Sequence, residues 1–280
     1  MKESEIFLKE VYEGLAEILK PYQKRQNQRQ KMVDLIRQCI RYTEKDDFLG
    51  LDELLKNKIV SDIESEPGLR DTKEIFDRLG TYAGEKVDCY RIEFIDDMIA
   101  HAKEADLPIE IDFPRFSVLK GIEGSFDFNA RSTIINKKTI KSINPKKIIA
   151  AVLKVKRQLY DRPYDPENFI DGLYQTYCTI LKREKKSSGH AVPMQRFYLE
   201  YVLSLQSKAF FQNMDKGKFR GYSMDQFAVD IWRYSQAGTG GALGRFAMQL
   251  RPGRNNALWL IDSDGERRQI TTISFQENKS

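Results

Sequence analysis

What most constrains the fold of this chain is the order in which its apolar periodicities change. Up to residue 106 hydrophobic residues recur at three- and four-residue steps; short alternating or β-branched runs follow, helical spacing returns, and alternating runs come last. Strands and helices are segregated along the chain, without the strand–helix–strand alternation that a parallel sheet needs. The pattern predicts an α+β protein: a helical N-terminal region, a small antiparallel sheet, a helical core and a C-terminal three-stranded antiparallel meander.

In the first third, Phe7, Val11, Leu15, Ile18 and Leu19 describe an amphipathic helix that should end near Pro21. A second helix carries Met32, Val33, Ile36 and Ile40 on one side, 48–59 continues helically, 64–68 reads as a break, and 72–79 and 90–105 read as two further helices. Segments 107–114, 116–122, 125–128 and 132–135 are short and interrupted by Pro and Gly, as strands of a small sheet are, with 136–138 as a turn. Asn144-Pro145 and Asp165-Pro166 each place a capping side chain before a proline at the first helical position, so helices should open at both. A charged loop over 182–190, helices over 193–211 and 223–234, and strands over 246–250, 257–261 and 269–275 complete the expectation.

With 280 residues and 41% hydrophobic content the chain can bury a sizeable core. No apolar run approaches the roughly 18–20 residues of a membrane helix, and Met1-Lys2-Glu3-Ser4-Glu5 is too charged for a secretory leader, so a soluble cytoplasmic protein without a membrane partner is expected. Cys39, Cys89 and Cys178 are odd in number and far apart, which fits neither a disulfide framework nor a zinc site.

The formal charge of +5 conceals strong segregation: residues 44–127 carry net −11 and residues 129–280 carry net +13. This layout bears on partners rather than on fold. It suggests an acidic, mainly helical docking region over 1–106 and a basic α+β domain over 107–280. Lys182, Arg183, Lys185 and Lys186 form one basic cluster; Arg245, Arg251, Arg254, Arg267 and Arg268 form another, near Trp259 and Phe246. Such residues neutralise phosphates, and an adjacent aromatic ring stacks on an unpaired base, so DNA or RNA is the expected partner of these nine side chains. A third basic group, from Lys24 to Arg41, lies on the second predicted helix. The competing reading of all three is a solvated rim facing acidic protein.

Catalytic constellations are weaker. Glu93, Asp97 and His101 are four apart on one predicted helix, but Ile92, Ile95, Met98, Ile99 and Ala102 should define its buried side, which favours a solvated acidic face over a metal site. Glu110, Asp112 and Asp127 offer carboxylates for a metal-dependent nuclease, although strand alternation also explains them as an exposed sheet face. Gly238–Gly244 lacks phosphate-loop spacing and runs from a helix into a strand. His190 stands in a polar loop with no serine or cysteine elbow. No cofactor or metal is expected.

Through Phe126-Asp-Phe-Asn, Ile134-Ile-Asn136, Asn144-Pro145 and Phe219-Arg-Gly-Tyr222-Ser-Met-Asp225-Gln-Phe227-Ala-Val-Asp230, the chain resembles bacterial accessory subunits that accompany SMC-like ATPases in anti-phage defence operons of the Lamassu kind. The resemblance covers residues 107–275 and implies a non-enzymatic subunit of a DNA-sensing complex, with an ATPase or nuclease subunit as partner. Val33, Ile36 and Ile40 are the expected apolar anchors for that partner, because short amphipathic helices need a surface to pack against. A metal-dependent nuclease acting on DNA or RNA is the competing class.

Overall fold

The computed structural model describes residues 2–237 and 246–277. The Gly238–Gly244 stretch and Arg245 lie outside the described residues. The chain divides into two compact units, Met1–His101 with Asp127–Ser132, and Ala102–Phe126 with Thr133–Ser280.

The first unit is helical: α1 (Lys2–Glu44), α2 (Phe48–Leu55), α3 (Ile59–Ser65), a 3-10 turn at Pro67–Leu69, and α4 (Thr72–Glu104), which continues into the second unit. Its core gathers Met32, Leu35 and Cys39 of α1 with Leu51, Ile63, Phe76 and Ala83. Two predicted breaks are absent. Pro21 sits inside α1; a proline removes one hydrogen bond, to the carbonyl four residues back, and on an exposed helix water satisfies that carbonyl. The helices predicted over 72–79 and 90–105 are one, since a glycine costs only about 1 kcal/mol in a helix interior, and the buried stripe of Ala83, Val87, Phe94 and Met98 carries the helix through Gly80 and Gly84. Met98 and Ala102 are buried on the expected face of α4, but Ile92 and Ile99 are exposed and Phe94 is buried instead.

In the second unit a five-stranded antiparallel sheet runs in the order β1 (Glu110–Asp112), β2 (Arg115–Ser117), β3 (Glu123–Asp127), β4 (Ser132–Ile135), β5 (Lys138–Ile140). The last of these was read as part of a turn; it pairs with β4 from Ile135 opposite Lys138 to Thr133 opposite Ile140. Asn136 and Lys137 close that hairpin with positive φ, +44° and +68°, the geometry of a two-residue turn whose twist matches its strands.

The helices of this unit are α5 (Pro145–Leu159), α6 (Pro166–Glu184), α7 (Met194–Ser204), α8 (Lys208–Asn213) and α9 (Met224–Gln236). Both proline-headed caps form: Asn144 accepts from the Lys147 N–H, and Asp165 accepts from the N–H groups of Glu167 and Asn168. The predicted 193–211 helix is two, because Ser207 caps a new start at α8. The C-terminal strands β7 (Phe246–Pro252), β8 (Leu258–Ile261) and β9 (Arg267–Glu277) are antiparallel as expected, and the short β6 (Val192–Pro193) joins them. In space β9 is central, with β7 on one side and β6 and β8 on the other. Tyr177, Phe197, Phe227 and Phe275 are the largest fully buried side chains here. Among the described residues no helix is long and apolar enough to cross a membrane.

Candidate functional site

A groove of about 670 Å³ lies over the five-stranded sheet and continues into a second recess of about 600 Å³ against α7, α9 and β8. Lys137, Asp225, Trp259 and Arg267 line both. Strand alternation supplies the floor: Phe116 is buried and stacks on Phe126 with ring centroids 4.7 Å apart, while its neighbours Arg115 and Ser117 line the groove with Glu123 and Ser125. Gly124 makes this possible, since a Cβ there would lie 2.4 Å from the Phe116 ring and 2.5 Å from the Ile134 carbonyl oxygen.

Asn136 ties the floor to its wall. Its side-chain N–H donates to the Gly121 carbonyl at 2.6 Å and to Asp225 at 3.4 Å, and its side-chain oxygen accepts from the Glu123 N–H at 3.1 Å. Asp225 lies in the first turn of α9, where a carboxylate suits the positive end of the helix dipole. A reciprocal Ser223–Gln226 capping box fixes that end. Arg267 donates to Glu123 at 2.9 Å. Trp259 is the one outward residue of β8, half exposed between buried Leu258 and Leu260. Ile134 in the groove and Met224 and Leu199 in the second recess, each at least 40% exposed, join it in an apolar part of the lining.

The rim is mixed in charge: Arg115, Lys137 and Arg267 face Glu110, Asp112, Glu123 and Asp225. Phosphate polymers prefer one sign of charge, so this groove is not where the basic surplus of the unit is displayed. Asp127, the third carboxylate considered for metal chemistry, caps its own turn by accepting from the Ala130 N–H at 2.8 Å. Glu93 and Asp97 are exposed on α4. Among the described residues no three His, Cys, Asp or Glu side chains come together to hold a metal ion.

Behind the groove wall lies a buried polar network that the sequence reading did not find. Asp230 of α9 is 2% exposed; it is ion-paired with Arg162 and accepts from the Tyr222 hydroxyl at 2.6 Å. Tyr164 donates to the Asp230 carbonyl at 3.0 Å, and Arg233 lies over the Tyr164 ring at 4.2 Å. Burial, reinforced by the Asp230 charge, pushes the Tyr222 and Tyr164 phenols far above their ordinary range, and chiefly burial raises Tyr160 and Tyr201 to about 12. The Arg162 guanidinium is raised as well: burial opposes its charge, and the hydrogen bond and charge of Asp230 outweigh that. The network braces Tyr222 and α9, which carry Ser223 and Asp225 to the groove. Its one sequence signal was an aspartate five residues beyond Asp225, on the opposite side of an amphipathic helix.

Arg245 lies outside the described residues; of the other eight predicted nucleic-acid contacts, Arg267 alone lines the groove. Lys182 and Arg183 sit in the last turn of α6, and Lys185 is its left-handed C-cap, followed by Lys186. Three of the arginines have carboxylate partners: Arg183 with Glu200 at 2.7 Å, Arg267 with Glu123, and Arg268 with Asp262 and Asp264. Lys182, Lys185, Lys186, Arg251 and Arg254 are exposed and make no ion pair among the described residues. Of the predicted docking residues, Ile36 packs against the core of the first unit, and Val33 and Ile40 are exposed. No family model, curated protein or solved structure matches the chain.

Proposed function

We propose that this chain is a non-enzymatic, nucleic-acid-associated accessory subunit of a bacterial multiprotein complex. The observation that carries the reading is the composition of the two recesses: exposed Trp259, Met224, Leu199 and Ile134 share the lining with charged residues of both signs. An aromatic and aliphatic centre inside a polar rim is the anatomy of a protein-binding hot spot. The five unpaired cations, Lys182, Lys185, Lys186, Arg251 and Arg254, support the nucleic-acid part. Arg183 and Arg268 add to them cheaply, since exposed ion pairs are worth only about 0–1 kcal/mol and yield to a phosphate. The resemblance over 107–275 supports an anti-phage defence complex with an SMC-like ATPase as the setting.

The test is fluorescence anisotropy with labelled DNA and RNA across a salt series. Affinity should fall steeply with salt, and alanine at the five cations should flatten the slope, because each neutralised phosphate releases condensed counterion. In parallel, Trp259→Ala should release the protein partner from the complex purified from native cells while leaving nucleic-acid binding in place. Salt-independent binding, or no binding at low salt, refutes the nucleic-acid part; a complex indifferent to Trp259→Ala refutes the groove.

A metal-dependent nuclease is the competing reading, and it ranks behind the accessory role because no three His, Cys, Asp or Glu side chains among the described residues come together to hold its metal. Cleavage in magnesium or manganese that is lost on Asp112→Ala with the fold intact would establish it in place of the accessory role.

A further inference from the structure

The first half of α1 carries a feature that neither the groove nor the basic clusters use. Phe7, Leu8, Val11, Tyr12, Leu15, Ile18, Leu19 and Tyr22 are between 41% and 72% exposed, with nothing packed over them among the described residues. At roughly 100° per residue these eight side chains fall within one face about 140° wide. The charged residues Lys9, Glu10, Glu13, Glu17 and Lys20 all fall outside it. Leu8, Val11, Leu15, Ile18 and Tyr22 follow the three-four spacing of a coiled-coil seam.

Seven of the eight positions, all but Phe7, are palindromic about Leu15. Reversing the helix about that residue places Leu8 on Tyr22, Val11 on Leu19, Tyr12 on Ile18 and Leu15 on itself. Such a surface is complementary to itself under a two-fold axis, which is the requirement of an isologous dimer. The exposed area also matches. Large apolar side chains present on the order of 150–200 Å² when free, so eight of them about 60% exposed offer roughly 800 Å² per copy, the size of one side of a stable interface.

We infer that α1 pairs with α1 of a second copy of this chain as an antiparallel two-helix seam centred on Leu15. The apolar face is thereby covered, and two copies of everything distal to it are held together. This dimer does not depend on what the groove or the cations bind, so it stands or falls separately from the proposed function.

Light scattering and sedimentation equilibrium of the full chain provide the test. The expected mass is twice the 32.6 kDa of one chain. Leu15→Glu sets two carboxylates face to face and should weaken the dimer at least about 100-fold, with an unchanged helical spectrum because Leu15 is 62% exposed and outside the core. Mixing Leu15→Glu with Leu15→Lys should restore a dimer. Under oxidation, in chains whose Cys89 and Cys178 are replaced by serine, a mixture of Leu8→Cys and Tyr22→Cys should cross-link to each other, and Leu8→Cys alone should not. A monomeric full-length chain overturns the inference, as does a dimer indifferent to Leu15→Glu, self-cross-linking of Leu8→Cys, or capture of the face by a different protein.

Discussion

Replacing Asp230 tests how far the wall of the groove depends on one buried charge. Its carboxylate is 2% exposed and is engaged by Arg162, itself 21% exposed, and by the Tyr222 hydroxyl. Asp230→Ala removes the anion and leaves the guanidinium without its counter-charge, a loss that typically costs about 3–5 kcal/mol. The freed Tyr222 hydroxyl is part of that loss. Both tryptophans, Trp232 and Trp259, belong to the second unit, so fluorescence-detected urea unfolding reports on that unit alone. Asp230→Ala should lower its stability by about 3–5 kcal/mol, and Arg162→Met in the same chain should restore part of the loss, because no charge is then stranded. Tyr222→Phe, which removes one hydrogen bond to a charged group, should cost less, about 1.5–3 kcal/mol. If Asp230→Ala costs under about 1 kcal/mol, or if adding Arg162→Met deepens the loss, the pair is not what braces α9 and the argument fails.

Two other outcomes follow from the same geometry. The phenols of Tyr160 and Tyr201, raised to about 12, and those of Tyr164 and Tyr222, raised further, keep their protons in the folded chain above pH 10 where the unfolded chain releases them. Their contribution to stability is therefore complete below about pH 10 and is lost as pH rises through 12; urea midpoints that rise between pH 9 and 11 would contradict it. Gly124→Ala drives a methyl group into the Phe116 ring and the Ile134 carbonyl, so it should cost about 1–3 kcal/mol by thermal denaturation.

What could be read from the sequence was what local chemistry decides. Asn144-Pro145 and Asp165-Pro166 announced α5 and α6 because the capping oxygen and the proline act within four residues of each other. The strands at Ser132–Ile135 and Leu258–Ile261 were visible for the same reason: their burial alternates or runs continuously over a few positions. Pro21 misled because its local penalty is small beside the cooperativity of a 43-residue helix. The single helix α4 was not legible over 80–89, because packing of Phe76 and Ala83 against distant Leu51 and Ile63 holds it.

The site was less legible than the fold. Trp259 and Arg267 drew attention as part of a basic, aromatic stretch, but the carboxylate that pairs with Arg267 lies 144 positions away at Glu123. Formal charge along a sequence counts cations; it does not say which are already matched. Ile36 was grouped with Val33 and Ile40, yet one step around a helix is enough to turn a side chain from core to solvent.

The place of β9 has a consequence for how the second unit comes into being. Its partners β6, β7 and β8 all precede it in the chain, and Val192 must wait for Ile273 before its backbone is paired. During synthesis these strands emerge with open edges and no neighbour to close them, and the sheet assembles only when its last member arrives. The unit is thus built like an arch. It stands only when the keystone is set, so a ribosome stalled before β9 releases no partly finished sheet, only unpaired strands for a chaperone to hold.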